Sequence, residues 1–371
     1  NENVFNNFLI FGYEAYSNKT IYEKIERIDR NSNLNFHFKR HEIKVFKKKN
    51  RSQNIKQDFL NPFSLKIKNF KKTFNKKKII LPITNGVDSQ IIFKHSLKND
   101  LKFDCFQMGK KQSTDHIIGK RTALENNLIN IFLKQDFNRY NNKIYKLLKE
   151  YSIITAGIGT SSEILFLESC TYLGKKYDVA LYGFGGELFR NYFVNKNLFV
   201  KNYMTPLSTL DKFIKKDFFY SKYYQFLKKN FSVKELNNFY LNERQSKNVS
   251  RRIQVAKEKM IPLNPFLNKD SYMNYKRVKK HNINDRQILN NFKVLSFKKK
   301  SLSINYFEID KFFKISRSIL LELLLYGKKL SCDAFKIDYL VSHIEKDNLS
   351  EKDKWFLARI LNLLMYLNIR K

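Results

Sequence analysis

Residues 79–95, Ile79-Ile-Leu-Pro-Ile-Thr-Asn-Gly-Val-Asp-Ser-Gln-Ile-Ile-Phe-Lys-His95, decide the fold. Ile79 to Ile83 is a run of branched aliphatics broken only by Pro82, the pattern of a strand buried on both faces of a parallel sheet. Thr84-Asn85-Gly86 is a small polar turn, and Asn85 is one of the few non-glycine residues that tolerates positive φ. Asp88-Ser89 and the apolar Ile91–Phe93 then open a helix. A strand, a tight turn and a helix N-terminus together make an anion site, because the first N–H groups of the helix point outward and carry partial positive charge. Asp88 suits such a site only if a divalent cation lies between carboxylate and phosphate. Ile83, Thr84, Asn85, Gly86, Asp88 and Ser89 are therefore candidates to hold a nucleotide pyrophosphate, with Asp88 on the metal. A plain strand–turn–helix connection would show the same pattern.

The surrounding chain repeats that alternation. Phe103–Met108 reads as a strand ending in Gly109, Asp115–Leu128 as a helix, Ile129–Leu133 as a strand and 138–150 as a helix. Strands separated by helices imply an α/β fold with a parallel sheet and right-handed crossovers. Ligands in such sheets sit at the carboxyl ends of the strands, so Thr84–Ser89 and Met108-Gly109 are expected to converge. Asp115 has two readings, helix N-cap and catalytic acid. Gly157, Gly159 and Thr160–Glu163 form a second Gly/Ser-rich turn before a helix.

A further motif is Val179-Ala-Leu-Tyr-Gly-Phe-Gly-Gly-Glu-Leu-Phe-Arg-Asn-Tyr192. It places Gly183, Gly185 and Gly186 at the end of a strand, in a chain with only 11 glycines. Glycines there let backbone approach a ligand closely, and Glu187 supplies a second acid for the metal.

Composition bounds the class. The 371 residues are 43% hydrophobic and 15% aromatic, enough for a substantial core. The net charge of +37 is compatible with a polyanionic partner. The lysines, however, lie in scattered short runs (Lys47–Lys49, Lys76–Lys78, Lys298–Lys300), and the inflated Lys, Asn, Ile and Phe match codon drift in an AT-rich genome. Nucleic acid is thus a partner the charge permits and the motifs do not favour. Cys105, Cys170 and Cys332 form no CxxC pair, which argues against a disulfide framework or a structural zinc site. No secretory signal opens the sequence and no apolar run reaches the roughly 18 residues of a membrane span, so a cytoplasmic location without a membrane span is the default expectation.

Toward the ends, Val4–Tyr16 is an apolar segment. Thr20 and Glu23 suggest a capping box opening a short helix through Ile21, Ile25 and Ile28. Phe36 and Phe38, then Ile43 and Val45, alternate as in a hairpin. Residues 47–60 read as a polar linker, followed by a helix over 62–75. The aromatic run Phe218, Phe219, Tyr220, Tyr223, Tyr224 and Phe226 reads as core ahead of a stacking surface. Helices are expected at 316–324, 333–346 and 351–368, the last two amphipathic. The organisation is then an N-terminal segment at 1–60, an α/β domain at 61–300 and a helical C-terminal subdomain at 301–371.

Thr84–Ser89 resembles the S-G-G-x-D-S pyrophosphate loop of the asparagine-synthetase-like ATP pyrophosphatases, with Thr for Ser and Asn85 for Gly. Gly183–Phe189 is similar to that family's G-x-G-x-D-E-L-F, one residue shorter and with Phe184 between the first two glycines. Asn18–Ile25 resembles the segment joining the family's glutaminase and synthetase halves, and Met260–Leu267 its P-P-F-L segment, which closes over the active site. An Arg-bearing helix follows that segment in relatives, in the place of Asp285-Arg286-Gln287. The resemblance is expected to cover the synthetase half without the glutaminase half, whose N-terminal nucleophilic Cys has no counterpart before Cys105.

The resemblance implies a sheet of the adenine-nucleotide α-hydrolase (HUP-like) type. It also implies ATP and Mg²⁺ as cofactors and a ligase that adenylates a substrate carboxylate, releases pyrophosphate and passes the acyl group to ammonia or an amine. In these terms Asp115, Glu187 and Arg286 are the catalytic candidates. Asp88 and Glu187 hold the metal, and Ile83–Gly86, Asp88, Ser89, Met108, Gly109, Gly183 and Gly185 hold the nucleotide. Partners would be a small carboxylate, an ammonia or amine donor and a separate ammonia-supplying glutaminase. The acid is unreadable; tailoring of a surface sugar or peptide is the leaning. Rival readings are a tRNA-modifying ATP pyrophosphatase and a degenerate nucleotide-binding non-enzyme.

Overall fold

A computed structural model describes residues 2–15, 18–20, 24–28, 32–37, 42–47, 60–140, 142–186, 197, 200–201, 204–232, 235–236, 239–266, 308–327, 334–347 and 349–369. Its centre is a five-stranded parallel sheet built from β3 (Ile79–Pro82), β4 (Asp104–Gly109), β5 (Asn130–Lys134), β6 (Val179–Leu181) and β7 (Ile261–Leu263). Two earlier strands, β1 (Ser32–His37) and β2 (Glu42–Lys47), form a separate antiparallel hairpin in which His37 faces Glu42. The expected hairpin is thus present, but Phe36, Val45 and Phe46 of it are exposed.

The sheet order is β5-β4-β3-β6-β7, and every neighbouring pair runs parallel. The chain builds outward from β3 through β4 to β5, then returns to lay β6 on the other side of β3. That reversal opens a crevice at the carboxyl ends of β3 and β6, the position at which doubly wound sheets bind ligands. Ile79, Ile80 and Leu81 are all buried, as a strand covered on both faces requires.

The connecting helices follow the expected alternation. α1 (Glu2–Phe11) opens the chain, and α2 (Leu60–Thr73) precedes the sheet. Then come α3 (Val87–Lys98), α4 (Thr114–Leu124), α5 (Ile144–Ile154) and α6 (Ile164–Leu173). Beyond β6 are α7 (Leu207–Phe213), α8 (Tyr220–Lys228) and a π-helical turn over Tyr240–Val249 that runs into α9 (Ser250–Lys257). The aromatic run packs mainly as core: Phe219 and Tyr223 are buried, while Tyr220 is exposed. After β7 the described chain resumes with α10 (Ile309–Gly327), α11 (Ile337–Glu345) and α12 (Glu351–Ile369).

Helices from both ends enter the same core as the sheet. Phe8–Phe11 of α1 belong to one buried cluster with β3, β6 and α12. Thr205 fastens α1 by donating its N–H to Ile10 O at 2.7 Å and its hydroxyl to Leu9 O at 2.8 Å. In α12 the residues from Phe356 to Tyr366 are buried except for the part-buried Arg359, so that half is enclosed on nearly all faces and the expected amphipathic spacing describes only its start. Asn362 of this stretch donates to Thr155 Oγ1 at 3.1 Å, while its Oδ1 has no hydrogen-bond partner among the described residues.

One local expectation is overturned. Residues 24–28 are not helical: Lys19 pairs antiparallel with Glu26, and the Thr20 hydroxyl donates to Ile25 O at 2.8 Å. Thr20 closes a tight loop there, and Ile25 and Ile28 are exposed. The Pro-Phe-Leu segment contributes β7 and a turn at Pro265-Phe266, the Phe266 ring lying 5.2 Å from that of Phe63 in α2. Ile261–Leu263 pair with β6 in the sheet, and Pro265-Phe266 follow at its carboxyl end. Of the expected 47–60 linker, residues 48–59 lie outside the described residues, as do Phe38 and Cys332, while Lys47 ends β2 and Leu60 opens the next helix.

Candidate functional site

The loop after β3 is held shut by its own hydroxyls. Thr84 Oγ1 lies 2.9 Å from Ser89 Oγ and accepts the Gly86 N–H at 3.0 Å. Ser89 Oγ accepts the Thr84 N–H at 3.2 Å and donates to Gly86 O at 2.8 Å. Gln90 adds a bond from its side-chain amide to Thr84 O at 2.7 Å. The two hydroxyls, expected as ligand donors, thus shape the turn. Gly86 caps α3 with extended backbone (φ −69°, ψ 136°) and has no side chain to occupy the helix N-terminus. Asn85 does not take positive φ, so the expected left-handed turn is absent and Asn is accommodated without strain.

Asp115 meets this loop from the side. Its Oδ1 accepts the Asn85 N–H at 3.0 Å. The N-cap of α4 is Ser113, which accepts from the His116 N–H, so the capping reading of Asp115 is corrected. Burial pushes the Asp115 carboxyl above the usual carboxylate range, and the Asn85 hydrogen bond opposes that rise. Gly119 allows the approach: a β-carbon there would stand 2.5 Å from Ile83 O.

The glycine turn after β6 meets Asp88. A β-carbon at Gly183 would stand 3.3 Å from Asp88 Cβ, and one at Gly186 only 2.2 Å from Asp88 Cγ and Oδ1. Gly185 takes φ +88°, which folds the turn back on itself. Phe184 stacks on Tyr182 with ring centres 5.0 Å apart, and Asn264 at the end of β7 donates to Phe184 O at 2.6 Å. Asn264 also accepts the Phe266 N–H at 3.1 Å, so one side chain ties the turn to the strand beside it.

The crevice therefore gathers Ile83–Gly86, Asp88, Ser89, Asp115, Gly183 and Gly185 from separate stretches of sequence. Met108 and Gly109 lie at the carboxyl end of β4, on the same edge of the sheet, with Gly109 at φ +129°. Glu187 and Arg286, and with them the second acid and the Arg-bearing helix, lie outside the described residues, as do Lys298–Lys300. Among the described residues no group of three or more His, Cys, Asp and Glu side chains is placed to hold a metal ion. Asp88 is the acid present against the glycine turn.

Gly119 and Asn264 were not singled out by sequence. A glycine in mid-helix in a glycine-poor chain was the available signal for the first; Asn264 had none. The second Gly/Ser-rich turn is structural: Gly157 and Gly159, both at positive φ, pack against Tyr366 and Tyr151.

The loop keeps the elements of an anion site: a helix N-terminus free of a capping side chain, a carboxylate in its first turn and a glycine turn opposite. A phosphate chain with a divalent ion fits that donor set, with Asp88 as the cation ligand. The N–H groups of Thr84, Asn85 and Gly86 already have partners within the protein, so anion contacts would fall to the first turn of α3. No helix among the described residues is long and apolar enough to cross a membrane.

No family model matches the chain, and no curated protein matches it.

Proposed function

We propose that the chain is an ATP-dependent, AMP-forming carbon–nitrogen ligase of the asparagine-synthetase-like kind, built on a HUP-like sheet. The observation that carries the reading is the meeting of Thr84–Ser89 with Gly183–Gly186 across the β3/β6 crevice, where Asp88 lies directly against Gly186. The α3 N-terminus would hold the pyrophosphate portion of ATP, and Asp88 would orient the metal. A bound Mg²⁺ would supply charge neutralisation of the departing pyrophosphate. Asp115 would fix the loop through Asn85, and the glycine turn would let backbone pass close to the nucleotide. The acceptor is a small-molecule carboxylate, and the nitrogen comes from ammonia or an amine, with a separate ammonia-supplying protein as partner. A cytoplasmic setting suits these substrates.

One observation favours a second reading. The loop amides of Thr84, Asn85 and Gly86 have partners inside the protein, which suits a nucleotide-binding protein without turnover.

AMP release from α-labelled ATP with Mg²⁺ separates these. It is run with a small-molecule cell extract, with bulk tRNA and with neither. AMP formed only with the extract, and abolished by Asp88→Ala in a folded protein, supports the ligase. ATP binding without AMP in any tube supports the second reading. AMP formed only with tRNA, with steep salt dependence of tRNA binding, would replace both with an RNA-modifying enzyme.

A further inference from the structure

The amino ends of the five parallel strands form one edge of the sheet, opposite the β3/β6 crevice. The chain reaches that edge through 74–78, 98–103, 124–129, 173–178 and 257–260, one connection ahead of each strand. Hydrogen bonds tie these connections side by side. Ile129 O accepts the Cys105 N–H at 2.8 Å, Lys78 O accepts the Asp178 N–H at 3.0 Å and Asp178 O accepts the Ile261 N–H at 2.8 Å. The Tyr177 hydroxyl donates to Asp104 at 2.8 Å. The five connections therefore present one continuous surface.

Its charge is lopsided. The connections hold nine lysines and four acids, Asp100, Glu125, Asp178 and Glu258. Three of these acids already have a cation: Lys71 lies 3.8 Å from Asp100, Arg121 2.6 Å from Glu125 and Lys77 3.3 Å from Asp178. Two flanking acids are also engaged, Asp104 by Tyr177 and Glu150 by Lys259 at 2.9 Å. Lys76, Lys98, Lys102, Lys175 and Lys257 are exposed, and none has a carboxylate partner among the described residues. Lys98 and Lys257 close helices, where a cation offsets the helix dipole, but Lys76, Lys102 and Lys175 lie past the helix ends. At the carboxyl edge, by contrast, Lys110 and Lys134 are paired with Glu308 and Asp136.

Large apolar side chains stand among these lysines. Leu124 ends α4, Ile129 precedes β5, Tyr172 lies in the last turn of α6 and Ile261 opens β7, so all four reach the amino edge. They are 44–63% exposed, and Ile129 is the most exposed large hydrophobic side chain among the described residues. A nucleic-acid backbone calls for cations and stacking rings, and exposed leucine and isoleucine add nothing to it. Lysines with protruding aliphatic side chains match an anionic bilayer, where the cations meet the headgroups and the aliphatic tips enter the interface.

We propose that the amino edge of the sheet docks on an anionic phospholipid bilayer, with the β3/β6 crevice turned to the water. The proposal goes beyond the ligase reading and does not rest on it, because no residue of the crevice lies on that edge.

The test is co-sedimentation of the full chain with phosphatidylcholine vesicles, with and without phosphatidylserine. Binding is expected only where phosphatidylserine is present. Lys76→Gln, Lys102→Gln and Lys175→Gln combined should weaken it roughly tenfold or more. Lys314→Gln, Lys346→Gln and Lys352→Gln combined remove the same charge from exposed positions at the C-terminal helices and should weaken it no more than about threefold. Ile129→Ser leaves the charge unchanged and should also weaken vesicle binding, by about threefold or more. All seven positions are exposed, so the variants should unfold at the parent's temperature. Asp88→Ala should bind vesicles as the parent does, whatever becomes of ATP turnover. Absence of binding to phosphatidylserine vesicles overturns the proposal. So do equal losses in the two triple variants, which would mean net charge alone, and vesicle binding indifferent to Ile129→Ser. Binding to bulk tRNA without binding to vesicles overturns it in favour of a nucleic-acid surface.

Discussion

Gly186 lies directly on the Asp88 carboxylate, so close that a β-carbon at 186 would stand 2.2 Å from both Cγ and Oδ1. The two residues come from different motifs and meet because β6 returns to the side of β3 opposite β4. A β-carbon at Gly183 would stand 3.3 Å from Asp88 Cβ, a tight contact that a shift of a few tenths of an ångström relieves. Gly186→Ala should therefore displace the carboxylate and weaken Mg²⁺–ATP binding at least tenfold. Gly183→Ala should change it by no more than about threefold. Titration of a fluorescent ATP analogue with both variants checks this, and equal effects would break the link between Asp88 and the nucleotide.

Asp115 supports the loop by accepting the Asn85 N–H. Asp115→Asn keeps an acceptor oxygen and should preserve the loop, whereas Asp115→Ala should cost about 1 kcal/mol. The sign with pH follows from the raised carboxyl. Folding favours its protonated form, so its contribution is full below the ordinary aspartate range and is lost as pH rises through the elevated folded value. Asp115→Asn should flatten that part of the stability profile in urea denaturation. A profile unchanged from the parent would exclude Asp115 as the titrating group.

His95 gives the opposite slope. Burial, reinforced by Lys98, lowers its pKa to about 4, and its Nδ1 lies 3.1 Å from Ser64 Oγ. The unfolded chain takes up the proton first, so stability falls as pH drops from the ordinary histidine value of 6.5 toward about 4. The loss should reach about 3 kcal/mol between pH 7 and pH 4. His95→Gln should remove most of this acid-side slope, measured by urea midpoints across the range.

Gly119 lets α4 sit on the end of β3, where a β-carbon would meet Ile83 O at 2.5 Å. That neighbour is backbone and cannot swing away. Gly119→Ala should lower stability by about 1–3 kcal/mol despite the helix propensity of alanine. Thermal unfolding measures it. A stabilised variant would show that α4 is free to move off the strand.

The sequence by itself determined the alternation of strands and helices from residue 79 to 181 and the loop at 84–89. A continuous aliphatic run, a polar turn and a helical apolar period each specify local conformation within a few residues. The aromatic run at 218–226 reads as core for the same reason. Local pattern failed at residues 18–28, where capping-box spacing suggested a helix. There Lys19 pairs antiparallel with Glu26, and Arg27 reaches the buried Glu14 that Arg251 also holds, so part of its geometry comes from contacts outside the segment.

Only the tertiary structure decided which residues meet. Nothing within a few positions of Asp115 tells that its partner is the Asn85 amide, or that Asn264 holds Phe184. The pairing of Arg27 with Arg251 over Glu14 is equally remote in sequence. Periodicity fixes which face of an element is buried. The order β5-β4-β3-β6-β7 fixes what lies against that face, and it follows from long-range packing of the whole chain.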